Sequence, residues 1–135
     1  MVHARNKGKD GELEWIKTFG ILFKGRELKR NLDQTREGGA DILGCEPFIV
    51  EVKRCEKLEL DKWWRQVKAA EETLKSAHLA GPDSDQPFKR ISVVSYRQNR
   101  GQWTFLLPAS LMGIDTDSYV IAKLELFIKL VEMKL

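Results

Sequence analysis

Seven residues in the middle of the chain, Phe48-Ile49-Val50-Glu51-Val52-Lys53-Arg54, set a carboxylate and an ammonium two positions apart inside a β-branched apolar run. Side chains alternate across a strand, so Glu51 and Lys53 share one face and Phe48, Val50 and Val52 the other. Charged groups on a core strand are costly unless they pair or hold an ion. Asp41 stands ten residues before Glu51, in a second apolar stretch, Ala40 to Leu43. Gly44 to Pro47 reads as a turn that folds the two stretches into a hairpin and brings Asp41 beside Glu51. Neighbouring carboxylates repel, and each raises the other's pKa. A divalent cation removes that penalty. Mg2+ prefers oxygen donors, one or two of them carboxylates, with water and phosphate oxygens completing the shell.

A third carboxylate belongs to the first helical segment, Asp10 to Phe23. There Ile16, Phe19 and Phe23 fall on one face, flanked by Trp15 and Leu22, and Asp10 stands where an N-cap would. Glu12 heads this apolar stripe, and Glu14 falls on the opposite, solvated side. Glu12 is either a helix-start residue near the positive end of the dipole or a residue aimed at a site, and periodicity alone does not separate the two.

The remaining elements follow from pattern. Residues 1–9 read as a basic, mobile arm ahead of a single domain over 10–135. Glu27 to Leu32 alternates as a strand, with Leu28 and Leu32 inward, and Asp33 to Gly39 is a polar loop. Trp63, Val67, Ala70, Leu74 and Ala77 recur at intervals of three and four, a second helix from Asp61 to the Ala80-Gly81-Pro82 stop. Ile91 to Tyr96 and Trp103 to Leu107 are strands joined by a turn at Gln98-Asn99-Arg100-Gly101. From Tyr119 to Leu135 the spacing is helical, although its first residues read equally as a strand. Helices separated by strand pairs predict an α/β fold, a mixed central sheet flanked by helices.

Asp41 and Glu51-Val52-Lys53, preceded by a helix carrying Glu12, resemble the PD-(D/E)xK nuclease superfamily. Within it the chain is most similar to the archaeal and phage-type Holliday junction resolvases, whose Lys-Gly motif precedes the helix glutamate by four residues, as Lys7-Gly8 precedes Glu12 here. The resemblance covers roughly residues 5 to 75. It implies a restriction-endonuclease-like core of order αβββαβ and an Mg2+-dependent endonuclease, with Mn2+ able to substitute, acting on Holliday junctions or other branched DNA during recombination. It implies that Asp41, Glu51 and the Val52 carbonyl ligate the metal. Lys53 would orient the attacking water and stabilise developing charge, and Glu12 would support the metal through water. It also places Gln66 near the scissile phosphate, where an ordinary exposed helix residue is the plainer reading. Two features depart from the family pattern: Ala40 replaces the proline before Asp41, and the nearest hydroxyl in the preceding loop is Thr35 rather than a serine.

Charge placement adds a candidate DNA surface. Arg26, Lys29, Arg30 and Arg36 put four basic residues in eleven just before Asp41, a density suited to phosphate contacts. Lys7 belongs with them, and Arg97 either joins them or sits in a plain exposed turn with Arg100. Lys62, Arg65 and Lys68 read better as a solvated helix face. Adjacent Trp63 and Trp64 do not both fit one helical core face, which leaves one for a partner. Cutting both strands of a junction takes two sites, which a symmetric homodimer supplies.

Composition excludes several other classes. The chain has 135 residues, 42% hydrophobic and 32% charged, with net charge +3, the profile of a folded soluble domain. No stretch has membrane-span length, and residues 1–9 hold no apolar leader segment, so a reducing, cytoplasmic setting without membrane contact is expected. Two cysteines outside any CxxC spacing and two histidines exclude a zinc finger, and Cys45 and Cys55 are expected to be free thiols. A nicking or restriction-like nuclease of other specificity, and a non-catalytic DNA-binding module of the same fold, remain the alternatives. Loss of an acidic ligand or of the lysine would mark the latter, and Asp41, Glu51 and Lys53 are all present.

Overall fold

A computed structural model describes the backbone of residues 4–32 and 40–135 and the side chains of residues 8–32 and 40–135. The Lys7 side chain, Thr35 and Arg36 lie outside the described residues.

Helix α1 runs Ala4–Phe19. Residues 4–9 of the expected arm are helical: Ala, Arg and Lys are good helix formers, and they carry the helix back past Asp10, which lies inside it rather than at its N-cap. The helix also stops earlier than periodicity suggested. Gly20–Leu22 tighten into a 3-10 turn, and Phe23 still reaches the core, fully buried.

The expected strand over Glu27 to Leu32 shrinks to β1, Lys29–Arg30. It pairs antiparallel with β2, Ile42–Leu43, matching Lys29 to Leu43 and Arg30 to Ile42. The predicted hairpin ladder between the two apolar stretches is thus not formed. β3, Phe48–Arg54, is tied to the earlier stretch by one backbone bond, Asp41 N–H to the Val50 carbonyl at 2.9 Å. The turn between them is closed by Phe48 N–H on the Cys45 carbonyl at 2.9 Å. It depends on Gly44, whose φ is +94° and where a Cβ would stand 2.6 Å from the Glu27 carbonyl oxygen, so a side chain is excluded.

Helix α2, Leu60–Ala80, crosses from β3 to β4, Ile91–Arg97. β5 is Thr104–Pro108, a 3-10 turn covers Ala109–Met112, β6 is Tyr119–Ala122, and helix α3 is Leu124–Lys134. The main sheet has the order β3-β4-β5-β6. β3 and β4 are parallel, with Glu51 opposite Val94 and Lys53 opposite Tyr96, and the other two pairings are antiparallel. The expected α/β class with a mixed sheet flanked by helices is what forms.

Alternation along β3 divides two cores. Phe48, Val50 and Val52 join Trp15, Phe19 and Phe127 on the side of α1 and α3, where the Phe105 and Phe127 rings stack at 4.3 Å. Ile49 joins Trp63, Val67, Val94 and Leu106 on the side of α2. Both tryptophans of α2 are buried in this second core, so neither is left over for a partner. The helix is covered on two sides: Trp63 packs on Tyr96 of the sheet, and Trp64 on Tyr119, each at 5.5 Å. Trp64 Nε1 donates to the Asp117 carbonyl at 2.7 Å. No described helix is long and apolar enough to cross a membrane.

Candidate active site at the open edge of β3

β4 occupies one edge of β3, and Asp41 reaches the other. Its amide donates to the Val50 carbonyl, and its Oδ2 accepts from the Val52 amide at 2.7 Å. A strand residue turns its N–H and C=O to the same side, so the Val52 carbonyl faces this edge as well. Asp41 is itself pinned from behind. Asn31 N–H donates to the Asp41 carbonyl, and Asn31 Nδ2 donates to the Ala40 carbonyl, both at 2.8 Å. Asn31 is 3% exposed whereas Leu32 is 82% exposed, the reverse of the alternation expected from Leu28 and Leu32. Sequence reasoning missed Asn31 because it ranked inward positions by hydrophobicity. The buried Asn31 instead satisfies two carbonyls of that irregular segment, one through its backbone N–H and one through its side-chain amide.

Asp41 and Glu51 are each 6% exposed and lie within hydrogen-bonding reach of one another. Burial, then the Asp41 charge, push the Glu51 carboxyl up to about 9. Lys53 Nζ stands 4.0 Å from Glu51 Oε2, too far to cancel those two effects. Glu12 completes an acidic trio from α1. It is 8% exposed, and its pKa is raised by burial first, against the Arg30 hydrogen bond that lowers it, with Asp41 raising it further. Glu12 is not in the first turn of α1, which begins at Ala4, and its carboxylate lies close to Asp41.

The arrangement suits a small divalent cation. Asp41 and Glu51 share a buried position that favours keeping a proton over carrying two negative charges, and the Val52 carbonyl adds a third oxygen. That donor set matches the one or two carboxylates Mg2+ takes from a protein before water and phosphate oxygens complete its shell. Among the described residues no group of three or more His, Cys, Asp or Glu side chains is placed to hold a metal ion. An open groove of about 460 Å³ is lined by Glu12, Asp41, Val52, Lys53, Arg54 and Cys55 among others; Glu51 is not among its lining residues.

The expected DNA contacts divide three ways. Arg30 is turned inward, its Nε donating to Glu12 Oε1 at 2.8 Å. Arg97 is also committed: it pairs with Glu14 through Nη1, and its Nε donates to the Gly101 carbonyl at 2.9 Å. Glu14, read as solvated, also meets Arg54 at 3.4 Å. Arg30 and Arg97 each pair with a carboxylate of α1. Arg26 is exposed and donates to the Glu46 carbonyl, and Lys29 is exposed, 4.0 Å from Glu27. Gln66 is exposed on α2 and is not among the groove residues.

The two cysteines are free, as expected. Burial pushes the Cys45 thiol up to about 12, which keeps it protonated and inert. Neither a protein-family model nor a curated protein sequence matches the chain.

Proposed function

We propose that the protein is a metal-dependent endonuclease of the PD-(D/E)xK type, built on a restriction-endonuclease-like core and acting on branched DNA. One observation carries the reading: Asp41 is clamped to the Val52 amide beside Glu51, with Lys53 following on the same strand face. A purely structural strand has no need of two mutually repelling buried carboxylates at an open edge.

When bound, the cation supplies Lewis acidity and lowers the pKa of water. Asp41 and Glu51 would hold it with the Val52 carbonyl, the Val52 amide fixing the Asp41 carboxylate. Lys53 would orient the attacking water and balance the negative charge that grows on the phosphoryl oxygens. Glu12 would support the cation from α1, its carboxylate held by Arg30.

The test is a cleavage assay on end-labelled four-way junction, linear duplex, flap and single-stranded DNA. Each is run with Mg2+, Mn2+ or EDTA, and beside the Asp41→Ala protein. Metal-dependent, paired cuts confined to the junction are expected of the wild type and none of the variant. Cuts in linear duplex would keep the nuclease and remove the junction preference. Binding without cleavage of any substrate would overturn the enzyme and leave a DNA-binding module.

A further inference from the structure

A second open cavity, of about 440 Å³, lies beside the end of α2 and the segment that leads into β4. Its size falls in the roughly 300–1,000 Å³ range of small-ligand clefts. Three kinds of surface meet there. Leu74 and Pro87 are apolar, the His78 and Phe88 rings pack at 5.6 Å, and Lys89 and Arg90 are cationic. The rim is held in shape. His78 Nε2 lies 2.7 Å from the Gln86 carbonyl oxygen, and Gln86 N–H donates to the Asp83 carbonyl at 2.9 Å.

Arg90 is the informative residue. The other part-buried arginines with described side chains, Arg30, Arg54 and Arg97, each pair with a carboxylate. Arg65 and Arg100 are exposed and need no partner. Arg90 is part-buried, yet its guanidinium has no ion pair or hydrogen bond among the described residues. No carboxylate lines the cavity to supply one. Glu71 of α2 is engaged by Lys68 and Ser92, and Asp83 and Asp85 are exposed on the loop outside the lining. A cation withdrawn from water without a partner loses hydration that a bound anion would offset.

We propose that this cavity binds a nucleoside phosphate, with the phosphate at Lys89 and Arg90 and the base against Phe88. Arginine meets phosphate through paired N–H donors, and an aromatic ring accepts the face of any base. An inorganic anion would leave the rings and Leu74 unused, and an apolar ligand would leave both cations unmatched. The inference does not rest on the nuclease reading. Lys53 is opposite Tyr96 in the β3–β4 register, and Arg90 precedes Tyr96 by six residues. That spacing puts about 20 Å of strand between the cavity and the candidate active site.

The test is saturation-transfer NMR of dAMP with the whole chain in EDTA, titrated to about 10 mM so that a Kd of about 1 mM is readable. Inorganic phosphate runs as a competitor. Wild type is expected to bind dAMP more tightly than phosphate. Arg90→Gln and Phe88→Ala should each weaken dAMP about fivefold or more with unchanged circular dichroism, and Asp41→Ala should bind it as wild type does. Arg90→Gln carries the test alone if Phe88→Ala does not fold. A fluorescein-labelled thymidine pentamer, followed by anisotropy, separates the two sources of such a ligand. Binding tighter than dAMP and weakened by Arg90→Gln assigns the cavity to an unpaired nucleotide of a strand. Binding that ignores Arg90→Gln assigns it to a free nucleotide. The proposal is overturned if dAMP does not bind, binds no better than phosphate, or is indifferent to Arg90→Gln. Loss of dAMP binding in Asp41→Ala overturns it equally, by moving the ligand to the candidate active site.

Discussion

Val52 shows how much of the site rests on backbone rather than on the charged residues either side of it. Its amide fixes Asp41, its carbonyl faces the same edge, and its side chain holds β3 against the core under α1. Asp41→Asn keeps an acceptor oxygen for that amide while removing the charge that repels Glu51. The variant is expected to fold, to lose metal-dependent cleavage, and to bind Mg2+ more weakly by calorimetry. Lys53→Ala should lower kcat by about 10²–10³-fold, the usual loss when one charge-stabilising group is removed, with Mg2+ affinity little changed. Equal loss of metal binding in both variants would place Lys53 in a structural role. The Glu-x-Lys pair was legible in the sequence because strand alternation fixes which side chains share a face. Asn31 was not, since its value lies in two backbone groups that no pattern of side chains advertises. The carboxylate partners of Arg30 and Arg97 were not legible either, because a count of positive charge does not reveal which carboxylate lies opposite.

At the scale of elements, α1 is locked to the ends of β3 and β4 by one carboxylate. Glu14 meets both Arg54 and Arg97, and Arg54 Nη1 donates to the Arg97 carbonyl at 3.3 Å. This close approach requires Gly11: a Cβ there would stand 2.5 Å from Arg54 Cγ, near the root of the side chain, where it cannot swing aside. Gly8, one turn earlier on the same helix, would place a Cβ in open space. Both replacements remove the cost of a helical glycine, about 1 kcal/mol relative to alanine. Gly8→Ala should therefore raise the urea midpoint by the equivalent of about 0.5–1 kcal/mol. Gly11→Ala adds overpacking of about 1–3 kcal/mol, so its net effect is a loss. Equal gains from both would show that Arg54 yields without cost. The helices, β4, β5 and the two faces of β3 followed from periodicity. The β1–β2 pairing did not, because strands of two residues carry too little pattern to name their partner. The hairpin expectation failed there, although the single Asp41–Val50 bond brings Asp41 to the place the hairpin was invoked to explain.

Across the whole molecule, the acidic trio makes stability a function of pH, and of a cation if the proposed site holds one. Glu51 holds its proton more tightly in the folded chain, up to about 9, than at its ordinary value of 4.5, and Glu12 shifts the same way. A group with a raised folded pKa contributes stability that is complete below its unfolded value and is lost as pH climbs toward its folded one. In EDTA the melting temperature should therefore fall between about pH 5 and pH 9. A divalent cation binds the ionised carboxylates, so its effect should be small near pH 5 and grow with pH. At a hundred times its Kd it adds about 2.7 kcal/mol, roughly 10 °C in Tm for a chain of this length. Glu51→Gln removes the group that must ionise. It should flatten the EDTA profile, raise Tm above wild type at pH 8.5, and abolish most of the Mg2+ shift. Differential scanning fluorimetry of the two proteins, with Mg2+ or EDTA across that pH range, reads all three effects. If Mg2+ stabilises Glu51→Gln as much as wild type, the cation is held elsewhere. If wild type in EDTA grows more stable as pH rises, the buried carboxylates are relieved by the protein itself, and the open edge of β3 has no call for a metal.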